Sequence, residues 1–140
     1  MSGTAYRDHK IKVGLTVSIV ALALTTAVIH YTIGGFGSLT GLMFYGNAAA
    51  YAFLAGALVA PIAIAQKYAF LSRLALAGVA AATIVGWVLF GARYDVAYLS
   101  KAIEVALIAV AFAATYRDRH AILALVQSAR RRLPFGRAAA

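Results

Sequence analysis

The sequence predicts an all-α protein built as an integral membrane four-helix bundle. Hydrophobic residues make up 64% of the 140 residues and charged residues only 12%, whereas soluble domains average about 45–50% apolar and about 25% charged residues. The apolar residues also fall into four long runs, each close to the about 20 residues that a membrane-spanning helix needs. These runs nearly exhaust the chain, so we expect a single transmembrane domain over residues 1–140 with no soluble catalytic domain.

The first predicted span covers residues 13–33 and follows a short basic segment. It is longer than the apolar stretch of about 7–15 residues in a signal peptide, and no clear cleavage motif follows it. We therefore expect this span to be retained. The glycine-rich sequence GGFGSLTG leads to the second predicted span, residues 42–65, where Pro61 is expected to kink the far end.

The third and fourth predicted spans cover residues 74–91 and 96–116, joined by the turn GARYD. A basic cytoplasmic tail is expected over residues 117–140. The pattern in this tail fits two alternatives equally well: a short amphipathic helix on the inner membrane surface, or a frayed basic tail that ends at Pro134. The apolar positions at helical spacing are Ile122, Leu125, Val126, Ala129 and Leu133.

Basic residues predict the orientation of the four spans. They concentrate in the segment before span one, the loop between spans two and three, and the tail after span four, whereas Arg93 stands alone on the other side. The positive-inside rule therefore places both termini in the cytoplasm. The residues on the inner side are Arg7, Lys10, Lys12, Lys67, Arg73, Arg117, Arg119, Arg130, Arg131, Arg132 and Arg137.

Composition and motifs also narrow the function classes. The chain has no cysteine, which excludes disulfides and thiolate chemistry. The net charge of +9 is better explained by orientation and by anionic lipid at the basic tail than by nucleic acid, because most basic residues flank the apolar runs. No phosphate-binding loop, nucleophile elbow or metalloprotease motif is present. We therefore expect neither an enzyme nor a cofactor or metal site.

Lys101 and Glu104 stand out because they lie inside the fourth span. At 1.5 Å per residue they lie about 8 Å and about 12 Å into this span, and their i, i+3 spacing places them on one face. His30 and Asn47 lie at similar depth in spans one and two. We predict that these four form an intramembrane polar site. Its outer mouth is expected at Arg93, Tyr94, Asp95 and Tyr98.

Three interpretations of these polar residues remain open. Lys101 and Glu104 can form a structural ion pair that fixes helix register more than it adds stability. They can instead belong to an outward-facing pocket that binds or passes an ion, a proton or a small ligand, since ionisable residues in a membrane often have this role. The charges can also contact another chain.

Small and aromatic residues supply two further expectations. Gly78, Ala82 and Gly86 recur at four-residue spacing, which allows close contact with another helix. Trp87 and several tyrosines gather toward the outer side, where an interfacial aromatic belt explains them better than a ligand site. The small residues favour either packing within the bundle or packing against other chains.

Two stretches, HYTIGGFGSLTGLMFYGNAAAYAFLAGAL and GARYDVAYLSKAIEVALI, resemble small four-span prokaryotic integral membrane proteins of unknown function. In those proteins a His ends span one, an Asn or small residue opens span two, and a Lys–Glu pair lies in span four. The resemblance covers the spans and implies a fold without an activity. The stretch FYGNAAAYAFLAG is also similar to the second helix of small four-span fluoride channels, but the Phe- and Thr-rich third-helix motif of that family is missing.

Together these features favour a non-catalytic protein of the prokaryotic plasma membrane that acts as a self-associating or accessory subunit, as a homo-oligomer or within a larger membrane complex. One alternative is a small oligomeric ion channel or proton-coupled transporter that uses Lys101 and Glu104. A second alternative is quinone or lipid binding at the outer aromatic belt. A dry ion pair would favour the subunit, and a water-connected cavity would favour transport.

Overall fold

The computed structural model describes residues 3–132, and all of its regular secondary structure is helical. The predicted all-α class is therefore confirmed for these residues. Four of the helices are long and apolar enough to cross a membrane. The helices are α1 (Gly3–Ile33), α2 (Leu39–Val59), α3 (Ala63–Lys67), α4 (Ala69–Phe90), α5 (Asp95–Arg117) and α6 (Arg119–Arg132).

The four long helices pack side by side in a ring, in which α1 and α4 each contact both α2 and α5. Their inner faces bury a core of large apolar side chains, among them Ile19, Leu76 and Leu107, with alanines between them. Their outer faces are apolar as well, since Phe53 and Val85 are exposed. Helices that are apolar on all sides are typical of membrane spans, so the fold indicates a multi-pass membrane protein.

The connection between α1 and α2 is short and tightly packed. Ser38 caps α2, and its side-chain oxygen accepts a hydrogen bond of 3.0 Å from the backbone nitrogen of Gly41. A Cβ atom at Gly41 would overlap the backbone of Gly35. Glycine is therefore required where the first turn of α2 meets the loop, and the cap starts α2 at Leu39, three residues before the predicted boundary.

The second long helix ends earlier than the predicted residue 65. Pro61 disfavours helical geometry in the preceding residue, and Ala60 is extended, with ψ 131°. The helix therefore ends at Val59, and Pro61 terminates it instead of kinking it. The side-chain amide of Gln66 donates hydrogen bonds to the backbone oxygens of Leu58 and Ala60, at 3.2 and 2.9 Å, which pairs two carbonyl groups left free by the break.

The other helix boundaries differ mainly where polar residues continue a helix. α1 begins at Gly3, ten residues before the predicted span, and α4 begins at Ala69 instead of residue 74. Hydropathy detects the apolar part of a helix, whereas Lys, Arg and Gln are good helix formers and extend it into water. The fourth span agrees with α5 to within one residue at each end.

The tail forms the expected helix as far as Arg132. Ile122 and Leu125 are half-buried on its inner side, and Val126 is exposed. The side chain of Ala129 and the residues from Leu133 to the end, including Arg137, lie outside the described part of the chain. The helix therefore replaces the alternative of a frayed tail over residues 119–132.

Candidate functional site

A buried polar cluster lies between α1, α2 and α5, and Glu104 is at its centre. The buried residues of α5 recur every three or four positions, and Glu104 lies in the middle of this buried face, between Ser100 and Leu107. Glu104 is fully buried, at 0% exposure, and His30 of α1 is 2% exposed. The carboxylate of Glu104 lies in the interior of the bundle because its position falls on the buried face of α5.

Lys101 is the nearest partner of this carboxylate. Its Nζ donates a hydrogen bond of 2.6 Å to Oε2 of Glu104 from three residues earlier on the same helix. The Lys101 side chain retains 13% exposure while the Glu104 side chain has none. A lysine near the edge of the bundle can reach inward with its ammonium group in this way, because its flexible stem packs along apolar surface.

His30 approaches the other carboxylate oxygen from α1. Its Nδ1 lies 2.9 Å from the backbone oxygen of Thr26, and a carbonyl oxygen only accepts hydrogen bonds, so Nδ1 carries a proton. In a neutral imidazole the second nitrogen is then unprotonated. This Nε2 atom lies 3.6 Å from Oε1 of Glu104. A neutral His30 therefore directs a lone pair at the carboxylate, and a protonated His30 directs a donor at it.

Tyr51 of α2 closes the cluster from the third side. It is fully buried, and its ring centroid lies 5.7 Å from that of His30. Its hydroxyl lies 3.4 Å from Oγ1 of Thr83 on α4, which itself donates to the backbone oxygen of Ala80 at 2.9 Å. Because the single hydroxyl proton of Thr83 is already used, the Tyr51 hydroxyl donates to Thr83.

Three buried oxygen atoms in this region have no hydrogen-bond partner within residues 3–132. They are Oε1 of Glu104, Oγ of Ser100 and Oγ1 of Thr26. Ser100 precedes Glu104 by four residues, and Thr26 precedes His30 by four, so the two hydroxyls lie about one helical turn from the cluster on opposite sides. Buried polar atoms are normally paired, and these exceptions distinguish the cluster from the remaining interior.

An apolar layer separates this cluster from the basic end of the bundle. On each long helix, the residues that follow the cluster toward that end belong to the hydrophobic core. Ile19 and Ala23 do so on α1, and Leu107 and Ala111 do so on α5. A polar path that runs through the centre of one chain from end to end would have to cross this layer.

The structure brings together three of the four predicted site residues: His30, Lys101 and Glu104. Asn47 is half-buried on α2, and no hydrogen bond joins it to these three in the described chain. On the face of α5 that carries Lys101 and Glu104, Ala97 is buried, whereas Tyr94 and Tyr98 of the predicted outer mouth are exposed.

The residues of the predicted outer mouth lie on the surface and do not contact the buried carboxylate. Arg93 stacks on the Trp87 ring at 4.4 Å and donates to the backbone oxygen of Val88 at 3.1 Å. Tyr98 packs edge-on against Trp87, with ring centroids 5.1 Å apart. Asp95 is the first residue of α5, where a carboxylate is stabilised by the positive end of the helix dipole. This mouth therefore consists of exposed aromatic and charged contacts.

Gly78, Ala82 and Gly86 lie on the outside of α4 and are exposed. A Cβ atom added at Gly78 or Gly86 would have nothing within 4 Å. These residues therefore do not mediate close helix packing inside the chain. The expectation that they contact another helix stays a prediction, and it now concerns a second chain.

Tyr51, Thr26 and Ser100 are parts of the cluster that the predicted site omitted. Ser100 and Thr26 were accessible to sequence reasoning, because each lies four residues before a predicted site residue on the same helical face. Tyr51 was not, because an aromatic residue in an alanine-rich span predicts either core or interface equally well. Its contact with His30 depends on how α1 and α2 pack.

A second charged cluster lies at the opposite end of the bundle, around Asp118 at the start of α6. Lys12 of α1 lies 2.9 Å from Oδ1 of Asp118, and Arg73 of α4 donates to Oδ2 at 2.7 Å. Arg117 and Asp8 are 3.0 Å apart nearby. Partial burial acts to raise the pKa of Asp118, but the adjacent Arg73 and Lys12 outweigh it and hold the pKa below its usual value.

Among residues 3–132, no three His, Cys, Asp or Glu side chains lie close enough to hold a metal ion. Comparison with known proteins finds no matching family model, no matching curated protein and no matching solved structure. The arrangement of the cluster is therefore the basis for any functional interpretation.

Proposed function

We propose that the protein is a non-catalytic subunit of the prokaryotic plasma membrane that acts by self-association or by assembly with a larger membrane complex. The observation that carries this proposal is the complete burial of the Glu104 carboxylate between two nitrogen partners of its own chain, Lys101 and His30. The charged groups inside the span thus contact groups of the same chain, which supports a structural role for them.

In this role Lys101 balances the charge of Glu104 within α5, and the contact of Glu104 with His30 of α1 fixes how these two helices pack. A charge in the membrane interior is tolerated when it is paired or faces the bundle, and the cluster meets both conditions. Moving α1 by one helical turn relative to α5 would separate His30 from Glu104 and leave the carboxylate without its interhelical contact. The cluster therefore specifies one arrangement of the bundle, which a subunit needs to present a constant surface.

The exposed small-residue face of α4 supports association with a second chain. Gly78, Ala82 and Gly86 let two helices approach closely, and such contacts drive helix association in lipid, where no hydrophobic force acts between spans. Ala82→Leu should disrupt the complex by steric overlap. Ala81→Leu is the matched control, because Ala81 is also exposed and lies next to Ala82 but faces a different direction.

The test is the size of the complex after purification in mild detergent, measured by native mass spectrometry together with whatever co-purifies. We expect a defined oligomer or complex for the wild type and for Ala81→Leu, and a smaller species for Ala82→Leu. A monomer with no partner would contradict the subunit proposal. A complex that Ala82→Leu leaves intact would exclude this face of α4 from the interface.

The proposed orientation, with both termini in the cytoplasm, is supported by the basic end of the bundle. Lys12, Arg73 and Arg117 make their ion pairs at the same end of the bundle, which supports a cytoplasmic location for that end and for both termini. Cysteines at Ser2 and Ala140, which lie outside the described residues, should resist a membrane-impermeant thiol reagent in intact cells. A cysteine at Gly37, in the connection between α1 and α2, should react, and the opposite pattern would reverse the orientation.

A proton-coupled function is the second candidate, and one contact favours it. Nε2 of His30 and Oε1 of Glu104 face each other at 3.6 Å, and Oε1 has no hydrogen-bond partner in the described chain. One added proton would let His30 donate to Glu104. The cluster can therefore hold a proton between α1 and α5, although the apolar layer of a single chain blocks further passage toward the basic end.

This second candidate is tested by proton flux into liposomes that contain the purified protein and a pH-sensitive dye. A proton-coupled protein should conduct above protein-free liposomes, and Glu104→Gln should abolish the flux. Asp95→Asn is the control, because Asp95 is an exposed acidic residue on the same helix outside the cluster. Equal flux in the wild type and Glu104→Gln would remove the candidate.

A further inference from the structure

A cavity of about 280 Å³ lies at the basic end of the bundle, where α1, α4 and α6 meet beside the short helix α3. One part of its wall is charged and comes from Lys12, Lys67, Arg73 and Asp118. The other part is apolar, and Phe70 and Leu125 belong to it. The cavity therefore presents a charged and an apolar surface side by side.

The charged part of the wall is positive overall. It contains three basic residues and one acidic residue, which leaves a net charge of +2. Asp118 is occupied by Lys12 and Arg73, whereas the ammonium group of Lys67 lies 5.5 Å from the centre of the Tyr68 ring and forms no salt bridge with a described residue. The charge that remains attracts an anion.

Arg73 supplies a second, independent indication. Its Nη1 atom donates to Asp118 at 2.7 Å, but its Nε atom is buried and finds no acceptor within residues 3–132. A buried donor without an acceptor is costly and uncommon in folded proteins. Arg73 also lines the cavity, and phosphate oxygens are acceptors that its guanidinium group binds well.

The position of the cavity indicates that a phosphate bound there would belong to a lipid headgroup. Lys12, Lys67 and Arg73 flank the apolar stretches of their helices, so they lie where a membrane helix meets the lipid headgroups. The adjacent apolar wall suits the first part of an acyl chain. A positive cavity at this level discriminates against zwitterionic lipids, because their cationic headgroup would meet Lys67.

We infer that this cavity binds the phosphate group of an anionic phospholipid. The guanidinium group of Arg73 donates to the phosphate, Lys67 and Lys12 balance its charge, and Phe70 and Leu125 contact the lipid chain. The inference requires that the bundle spans a membrane, and it is independent of the subunit role and of the proton-coupled alternative.

The test uses the full-length protein in neutral detergent and counts retained lipids by native mass spectrometry after addition of phosphatidylglycerol or phosphatidylcholine. The wild type should retain phosphatidylglycerol in preference to phosphatidylcholine. Lys67→Ala should weaken that retention about fivefold, the effect of one basic residue near an anionic lipid. Lys10→Ala is the matched control, because Lys10 is also exposed and lies over a tyrosine ring, at 4.5 Å from the centre of Tyr6, but does not line the cavity.

A second variant and a second probe distinguish a specific lipid site from free phosphate and from diffuse attraction to the basic surface. Ala121→Phe fills the cavity without changing charge and should also reduce retention, since Ala121 lines the wall. Inorganic phosphate that raises the melting temperature as much as phosphatidylglycerol would identify free phosphate as the ligand and overturn the lipid assignment. Equal losses in Lys67→Ala and Lys10→Ala, or undiminished retention in Ala121→Phe, would show diffuse attraction to the basic surface and overturn the site.

Discussion

Two charged clusters of the bundle use the same chemistry in different surroundings. In the interior Glu104 has two nitrogen atoms nearby, from Lys101 and His30, and at the basic end Asp118 has two, from Lys12 and Arg73. Glu104 is fully buried, whereas the side chain of Asp118 is 22% exposed. Because the two clusters have similar charges and differ in burial, comparing them shows how burial changes the contribution of an ion pair to stability.

Burial makes the partners of Glu104 indispensable and those of Asp118 replaceable. Water cannot solvate a carboxylate at 0% exposure, so the protein must supply every partner. Oε1 has His30 nearby, at 3.6 Å, but no hydrogen bond within the described chain. Water can reach the partly exposed Asp118 cluster and screen its charges. This difference fits the two proposals above: the Glu104 cluster specifies the helix arrangement, and the basic end binds an external anion.

The largest expected effect is the removal of one buried charge. Lys101→Met and Glu104→Gln should each destabilise the protein by about 3–5 kcal/mol, because breaking a buried pair leaves the partner charge uncompensated. The free energy of unfolding in mild detergent measures this loss. Proton uptake by Glu104 can reduce the cost in Lys101→Met, so Glu104→Gln should be the more damaging of the two. A loss below about 1 kcal/mol in both variants would place the pair in a solvated environment.

Removal of the charge at the basic end should have a smaller effect. Asp118→Asn is expected to cost about 1 kcal/mol, since partly exposed ion pairs are worth about 0–1 kcal/mol and the amide can still accept a hydrogen bond from Arg73. The measurement is the same unfolding experiment. A loss equal to that of Glu104→Gln would mean that burial does not distinguish the two clusters.

The smallest expected effect is a pH dependence that belongs to Asp118. Its pKa is lower in the folded chain than in the unfolded chain, so its charged form stabilises the fold fully above the unfolded value of about 3.9. That contribution is lost as the pH falls below this value and through the folded pKa. The difference in unfolding free energy between the wild type and Asp118→Asn should therefore shrink below about pH 4. A difference that grows on acidification would reverse the assigned direction.

Most of the fold was predictable because the membrane constrains it strongly. Four apolar runs of sufficient length predict four helices, and α5 agrees with its predicted span to within one residue at each end. The boundary at Val59 was missed because Pro61 could either kink or end a helix in lipid, and the outcome depends on Gln66, which pairs the released carbonyl groups.

The site was predictable only in part. Charges inside an apolar span identify Lys101 and Glu104, and similar depth adds His30. Depth alone also selected Asn47, which does not join the cluster. The rotation of α2 about its axis decides which of its side chains point inward, and this rotation is set by packing and cannot be read from a span rich in alanine. Tyr51 was missed for the same reason.

The double variant Lys101→Met/Glu104→Gln tests the central claim most directly. If the two charges depend on each other inside the bundle, removing both leaves no uncompensated charge, so the double variant should recover much of the stability that each single variant loses. The measurement is a double-mutant cycle of unfolding free energies in mild detergent. If the losses of unfolding free energy in the two single variants simply add in the double variant, the two charges do not depend on each other. If all variants fold equally well but lose proton flux, the pair serves transport and has no structural role.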